Sequence, residues 1–217
     1  MKAPYIEKAD KSFMDPHAGL WKKAGVERFP LVQTPIMMVQ HLSPFMADST
    51  DHGKVDEIEC RVAHNGSRLS IYLSWADKTQ NDEIKDLDQF VDGVAVMFPF
   101  TDSANPITMG DADNPVNMWM WRADKQEPYD VLARGFGTSK RRPGKEFGLS
   151  VSSLYENGRW YVVFQRALRA GLMTPAQVGF APNKLSGVSF AVWDGGNKDR
   201  SAQKSFSGHW EPLELEA

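Results

Sequence analysis

Long apolar runs and a large excess of either charge are missing from this 217-residue sequence, and cysteine occurs once. No stretch approaches the ~20 apolar residues that a membrane-spanning helix needs. The N-terminal MKAPYIEKADKSF lacks the apolar segment of a secretory signal, so the chain reads as a mature soluble protein or one exported by other means. Lys and Arg number 25 against 28 Asp and Glu, which excludes a broad electrostatic footprint for nucleic acid or an anionic membrane. A lone cysteine, Cys60, excludes an internal disulfide and the zinc and iron–sulfur sites that need several thiolates. In EIECRVAHNG it falls in phase with Ile58 and Val62, the place of a small buried hydrophobe. Repeats, low-complexity linkers and composition shifts are also missing, so one domain is expected over residues 1–217.

What is present is apolar side chain in quantity. Hydrophobic residues make up 41%, with 7 Trp and 12 Phe, enough for a substantial core. The dominant period is two. VDEIECRVA, HNGS and RLSIYLSWAD read as a hairpin in which Asn65-Gly66 suits a type I′ turn and Leu69, Ile71, Leu73 and Trp75 share a face. LSVSSLYENGRWYVVFQRAL repeats the pattern around Asn157-Gly158, with Trp160, Val162 and Phe164 on one face and Tyr161 and Val163 on the other. GVAVMFPF and SGVSFAVWDGG are short apolar runs bounded by Gly or Pro, as in strands buried between layers, and KSFSGHWEPLELE reads as a further strand. Helical signal is sparse: Ile84, Leu87 and Val91 fall at helical spacing before Gly93, and MTPAQVGF suits one turn starting at Pro175. The fold class is therefore mainly β, an antiparallel β-sandwich with a few short helical insertions. Residues 1–30, with Pro4, Pro16 and Pro30, read as an irregular N-terminal arm.

Several short motifs fail on inspection. GFGTSK has Lys140 where a dinucleotide loop needs its third glycine, and no βαβ context surrounds it. DADNPVNMWMWR starts like a calcium loop at Asp111 and Asp113, but Val116 replaces the required glycine and Arg122 the closing glutamate. The histidines at 17, 41, 52, 64 and 209 form no i, i+2 or i, i+4 ligand pair, and H-E-x-x-H, G-x-S-x-G and the C-x-x-C-H of covalent haem attachment are absent. Asn65-Gly66-Ser67 matches a glycosylation acceptor but is explained by the turn. Lys140, Arg141, Arg142 and Lys145 read as a solvated basic loop.

The densest soft and aromatic stretch is ITMGDADNPVNMWMWRAD, residues 107–124. Strand alternation sends Asn117, Trp119 and Trp121 one way and Met118 and Met120 the other, so core packing accounts for four of its five Met and Trp residues. Met109, ahead of Gly110 in a turn-like segment, is less naturally a core residue.

Together with HNGS, FVDGVAVMFP, PVNMWMWRA and AVWDGGNKDRSAQKSFSG, that stretch resembles the haem b-binding gamma subunits of ethylbenzene dehydrogenase, dimethylsulfide dehydrogenase, selenate reductase and chlorate reductase. The resemblance runs along most of the chain and is strongest toward hydrocarbon side-chain hydroxylases. It implies a β-sandwich holding one non-covalent haem b between a methionine and a lysine, positions that fall on Met109 and Lys204. Lys198 is the neighbouring alternative for the amine, and Met97, Met118 and Met120 for the sulfur. A thioether ligand raises the haem potential, and lysine ligates only as the neutral amine. Six-coordinate iron has no open position for substrate, so the implied role is electron transfer rather than catalysis. The implied partners are an iron–sulfur beta subunit, a molybdenum-cofactor alpha subunit and an external acceptor such as a soluble cytochrome c. The implied location is the periplasm, by co-export with a signal-bearing partner, rather than the cytoplasm. Two other readings stand beside this one: a carbohydrate-binding β-sandwich module without haem, whose exposed Trp or Tyr would stack on sugars, and a structural subunit whose Met-rich stretch is packing.

Overall fold

The structure, a computed structural model, describes residues 1–40, 51–169 and 177–217. Among these the strands are β1 (Lys2–Ala3), β2 (Glu27–Pro30), β3 (Val32–Gln33), β4 (Glu57–His64), β5 (Arg68–Ala76), β6 (Gly93–Pro99), β7 (Val116–Arg122), β8 (Tyr129–Ala133), β9 (Lys140–Pro143), β10 (Ser150–Glu156), β11 (Arg159–Ala167), β12 (Leu185–Trp193), β13 (Ser205–Phe206) and β14 (Glu211–Leu215). They form two sheets. The larger runs β1-β14-β12-β6-β7-β8-β9, with β13 bridging β12 to β3, and the smaller runs β10-β11-β5-β4-β2. Pairing between strands is antiparallel except for β1 on β14. Among the described residues helix is confined to single turns such as Asp10–Phe13 and Ile36–Val39, so the expected antiparallel sandwich with minimal helix is what forms. Among the described residues no helix is long and apolar enough to cross a membrane.

Alternation explains the core. Leu69, Ile71, Leu73 and Trp75 of β5 and Trp160, Val162 and Phe164 of β11 face Val94, Val96, Phe98, Trp119 and Trp121 of the larger sheet in one cluster. Rings cross the interface: Trp121 meets Trp160 at 4.9 Å between centroids and Trp119 meets Phe164 at 6.4 Å. Cys60 is buried here, and loss of hydration pushes its thiol pKa upward. The other face of the smaller sheet is covered too. Tyr72 and Val163 pack against Phe13, Leu20 and Trp21, so residues 1–30 are laid across that face rather than loose, and their last four residues are strand β2 on β4.

Three local expectations are corrected. The segment 81–92 is not helical, and Leu87 is 97% exposed. Side chains there take the backbone donors that a helix would use: Asp86 accepts from the Leu87 N–H, Gln89 from Lys85 and Asp92 from Asn81. The strand expected over 204–216 is two strands, β13 and β14, broken at Gly208 with φ +71°. The turn at Asn157-Gly158 has positive φ at both residues, as type I′ requires, but at Asn65-Gly66 only the glycine does. There the Asn65 carboxamide oxygen instead accepts from the N–H groups of Ser67 and Arg68. The turn expected at Pro175 lies outside the described residues.

Candidate functional site

The outward face of the larger sheet is the floor of a cavity of about 590 Å³, within the ~300–1,000 Å³ typical of small-molecule and cofactor sites. Register builds that floor. Met97 on β6 is opposite Met118 on β7, and Ala95 is opposite both Met120 and, on β12, Ala191. Small Ala95 and Ala191 leave the depression that the methionines border. The same alternation buries Trp119 and Trp121 in the sandwich. The Met/Trp stretch therefore serves two compartments: tryptophans fill the core and methionines face the cavity.

One wall is the loop 106–110, which carries Met109. Its backbone is left-handed, with φ +59° at Met109 and +76° at Gly110. A Cβ on Gly110 would lie 2.3 Å from the Asn114 carbonyl oxygen, so only glycine lets the chain close there. The Gly135 N–H donates to the Met109 carbonyl at 3.0 Å, tying this wall to the loop holding Phe136 and Gly137, which also line the cavity. The acidic turn that follows is a turn and not an ion loop: the Asp111 carboxylate accepts from the N–H groups of Asp113 and Asn114, and those bonds hold its pKa low.

The opposite end of the sequence supplies another wall, residues 200–204. The Lys204 carbonyl accepts from both the N–H and the hydroxyl of Thr34 at 3.0 Å, which anchors the main chain beside the cavity. Lys204 is partly buried, with Nζ 5.7 Å from the centroid of the Trp193 ring. Burial pushes its pKa down to about 8, against the opposing charge of Asp199. Among the described lining residues there is no histidine or cysteine, and Lys204 is the one amine. Met109 and Lys204, 95 positions apart in the sequence, thus border one cavity. Met97, Met118 and Met120 border it too, whereas Lys198 does not: its side chain is exposed, 3.4 Å from Asp88.

Sequence reading missed the polar network on the inner face of β7. The Asn117 carboxamide N–H donates to the Asp130 carboxylate and the Val131 carbonyl, while its oxygen accepts from Arg166 at 3.2 Å. Arg166 is 1% exposed, with its guanidinium 4.9 Å from the Trp119 ring centroid, and it also donates to the Val178 carbonyl. Burial lowers its pKa to about 10. Arg142 pairs with the same Asp130 and stacks on Phe147 at 3.9 Å, while Arg141 and Arg200 line the cavity. The basic loop is therefore partly structural rather than only solvated. A polar Asp inside the strand YDVLA, opposite Trp119, was the available signal.

Comparisons with known proteins agree along the length of the chain. It is 35% identical over 179 residues to a Haloferax mediterranei protein named as a respiratory nitrate reductase heme subunit, covering 82% of this chain and 62% of that one. It is 33% identical to the chlorate reductase subunit gamma of Ideonella dechloratans and 29% identical to the dimethylsulfide dehydrogenase subunit gamma of Rhodovulum sulfidophilum. Each match covers 90% of this chain, with 77% and 73% of the respective relatives. Among solved structures it is similar to a family 9 carbohydrate-binding module from Caldicellulosiruptor kristjanssonii in complex with glucose, with TM-score 0.51, 10% identity and coverage of 100% of this chain and 95% of that one. A Bacteroides uniformis protein described as carbohydrate-binding gives TM-score 0.56 at 10% identity, with coverage of 100% and 98%. At that identity the likeness is one of fold. A family model described as Ethylbenzene dehydrogenase matches residues 18–153 and 142–205, and the chain belongs to that family.

Proposed function

We propose that this chain is the electron-transfer gamma subunit of a molybdenum oxidoreductase and holds one non-covalent haem b in the cavity on the larger sheet. The observation that carries the reading is a cavity bordered by both Met109 and a lysine whose charge is disfavoured by burial, in a chain of this family. The residues fit the group. The thioether of Met109 and the neutral amine of Lys204 would be the groups that hold the iron, the floor is apolar, and Arg141 and Arg200 would be cations available to the haem carboxylates. When bound, haem supplies a one-electron carrier.

What the chain contributes is position and electrostatics. Thr34 and the left-handed turn at Met109 hold the two ligand-bearing segments in place. Burial of Lys204 does part of the work of deprotonation before any metal acts on it. Met97, Met118 and Met120 lie on strands of the floor and Met109 on a loop wall; the family resemblance singles out Met109 as the sulfur ligand, and its place on the border of the cavity supports that reading. The chain makes and breaks no substrate bonds in this reading. Electrons pass between an iron–sulfur beta subunit, itself served by a molybdenum-cofactor alpha subunit, and an external acceptor such as a soluble cytochrome c. The complex works in the periplasm after co-export with a signal-bearing partner.

A sugar-binding role finds little support in the surface, because none of the seven tryptophans is exposed and Tyr5 is the one exposed tyrosine among the described residues. The deciding experiment is an absorbance spectrum of the chain co-purified with its native partners, before and after dithionite, with a pyridine haemochrome assay. About one haem b per chain with a sharp reduced α-band is expected. Haem-free protein from cells able to supply haem would overturn the reading.

A further inference from the structure

Three carboxylates meet where β5 ends, where β6 begins and where β12 ends. Asp77, Asp92 and Asp194 each place an oxygen within 4.8 Å of the other two. Asp77 is 4% exposed and Asp92 fully buried. The nearby cations among the described residues pair with other carboxylates, Arg122 and Lys125 with Asp124 and Lys198 with Asp88. Backbone and indole donors are spent mostly on Asp92, whose Oδ1 accepts from the Gly195 N–H and whose Oδ2 accepts from the Asn81 N–H and the Trp160 indole. Asp77 is left short: Oδ1 accepts from the Thr79 N–H at 3.1 Å, while Oδ2 is buried and makes no well-formed hydrogen bond, the Trp75 indole N–H being the donor beside this carboxylate.

Like charges this close, out of water, are not sustained by hydrogen bonds from neutral donors alone. The cluster is also rich in neutral oxygen. A Cβ built on Gly196 would lie 2.5 Å from the Thr79 hydroxyl oxygen, 3.0 Å from the Asn81 carboxamide oxygen and 3.2 Å from Asp194 Oδ1, so glycine keeps open the place where these oxygens converge.

We propose that Asp77, Asp92 and Asp194 form a binding site for one calcium ion, which ties the ends of β5, β6 and β12 together. The donor set is all oxygen, which selects a hard cation. Calcium takes six to eight oxygens at ~2.3–2.6 Å, and carboxylate oxygens that all lie within 4.8 Å of one another can reach a single ion. Magnesium demands a stricter octahedron and keeps several waters, which suits this buried mixture of carboxylates less well. The ion also sets the start of the loop from Asp194 to Lys204, because Asp199 Oδ2 accepts from the Asp194 N–H and Asp199 Oδ1 from the Gly53 N–H. The proposal stands independently of haem.

The test uses the protein with its partner subunits, stripped with EGTA and dialysed to equilibrium against radioactive calcium, with thermal unfolding of this chain followed in parallel. The expected result is one chelator-sensitive calcium lost in Asp194→Asn, together with a calcium-dependent rise in unfolding temperature that the variant lacks. Asp194 is the partly exposed member, so this variant perturbs the core least; Asp77→Asn, which keeps its size, is the second. Equal calcium binding by wild type and both variants overturns the site. So does a stripped wild type that neither binds calcium nor gains stability from it. Equal stabilisation by magnesium at the same concentration overturns the assignment of the ion.

Discussion

The ammonium nitrogen of Lys204 lies 5.7 Å from the centroid of the Trp193 ring, on the border of the same cavity as Met109. Burial depresses the pKa of this lysine and so favours the neutral amine, while the indole face beside it favours the ammonium. Lys204→Ala is therefore expected to remove one axial ligand and convert the low-spin haem spectrum to one with an open or water-filled position. A spectrum identical to wild type would show that another residue holds the iron.

Met109→His exchanges a thioether for an imidazole on the same left-handed turn. The variant is expected to retain haem at a lower midpoint potential, since methionine ligation raises the potential. Spectroelectrochemical titration measures it, and an unchanged potential would remove Met109 from the coordination sphere.

Arg166→Met tests the network under the cavity. It leaves Asp130 buried with Arg142 as its remaining cationic partner, and breaking a buried pair from one side costs roughly 3–5 kcal/mol. A urea midpoint lowered accordingly is expected, with part of the loss recovered when Asp130→Asn is added. A loss below about 1 kcal/mol, the scale of a surface pair, would show that the network contributes little.

His64 supplies a pH dependence. Its ring Nδ1 accepts from the Gly66 N–H and its Nε2 donates to the Glu216 carbonyl, an arrangement that only the neutral ring can make. Burial lowers its pKa from 6.5. A group whose folded pKa is depressed contributes stability that is complete above the unfolded pKa and is lost as pH falls through the folded one. Wild type should thus lose stability as pH falls below about 6.5 and through the depressed pKa of the folded ring, and the gap between it and His64→Gln should narrow. Parallel pH profiles for the two proteins would contradict this.

Much of the sandwich was legible because a strand with one buried face must alternate. The hairpins around residues 65 and 157 follow that rule, and β6 and β12 read as continuous apolar runs because cavity loops cover their second face. What failed was local competition: Ile84, Leu87 and Val91 have helical spacing, but neighbouring Asp and Gln side chains capture the backbone donors and no partner surface covers Leu87. The short strands β8 and β9 escaped notice because their alternation spans too few residues, and the basic residues of β9 read as loop.

The sequence by itself determined the fold class, the alternation that separates Trp119 and Trp121 from Met118 and Met120, and the absence of thiolate and histidine metal motifs. These follow from composition and a period of two, which are local properties; that the two methionines face a cavity and not the core was decided by the tertiary structure. Resemblance to a family also singled out Met109 and Lys204. Only the tertiary structure decided that the two border one cavity, that Lys198 does not, and that Asp77, Asp92 and Asp194 converge. Those groups lie tens to more than a hundred positions apart, and it is strand order and register that bring them together.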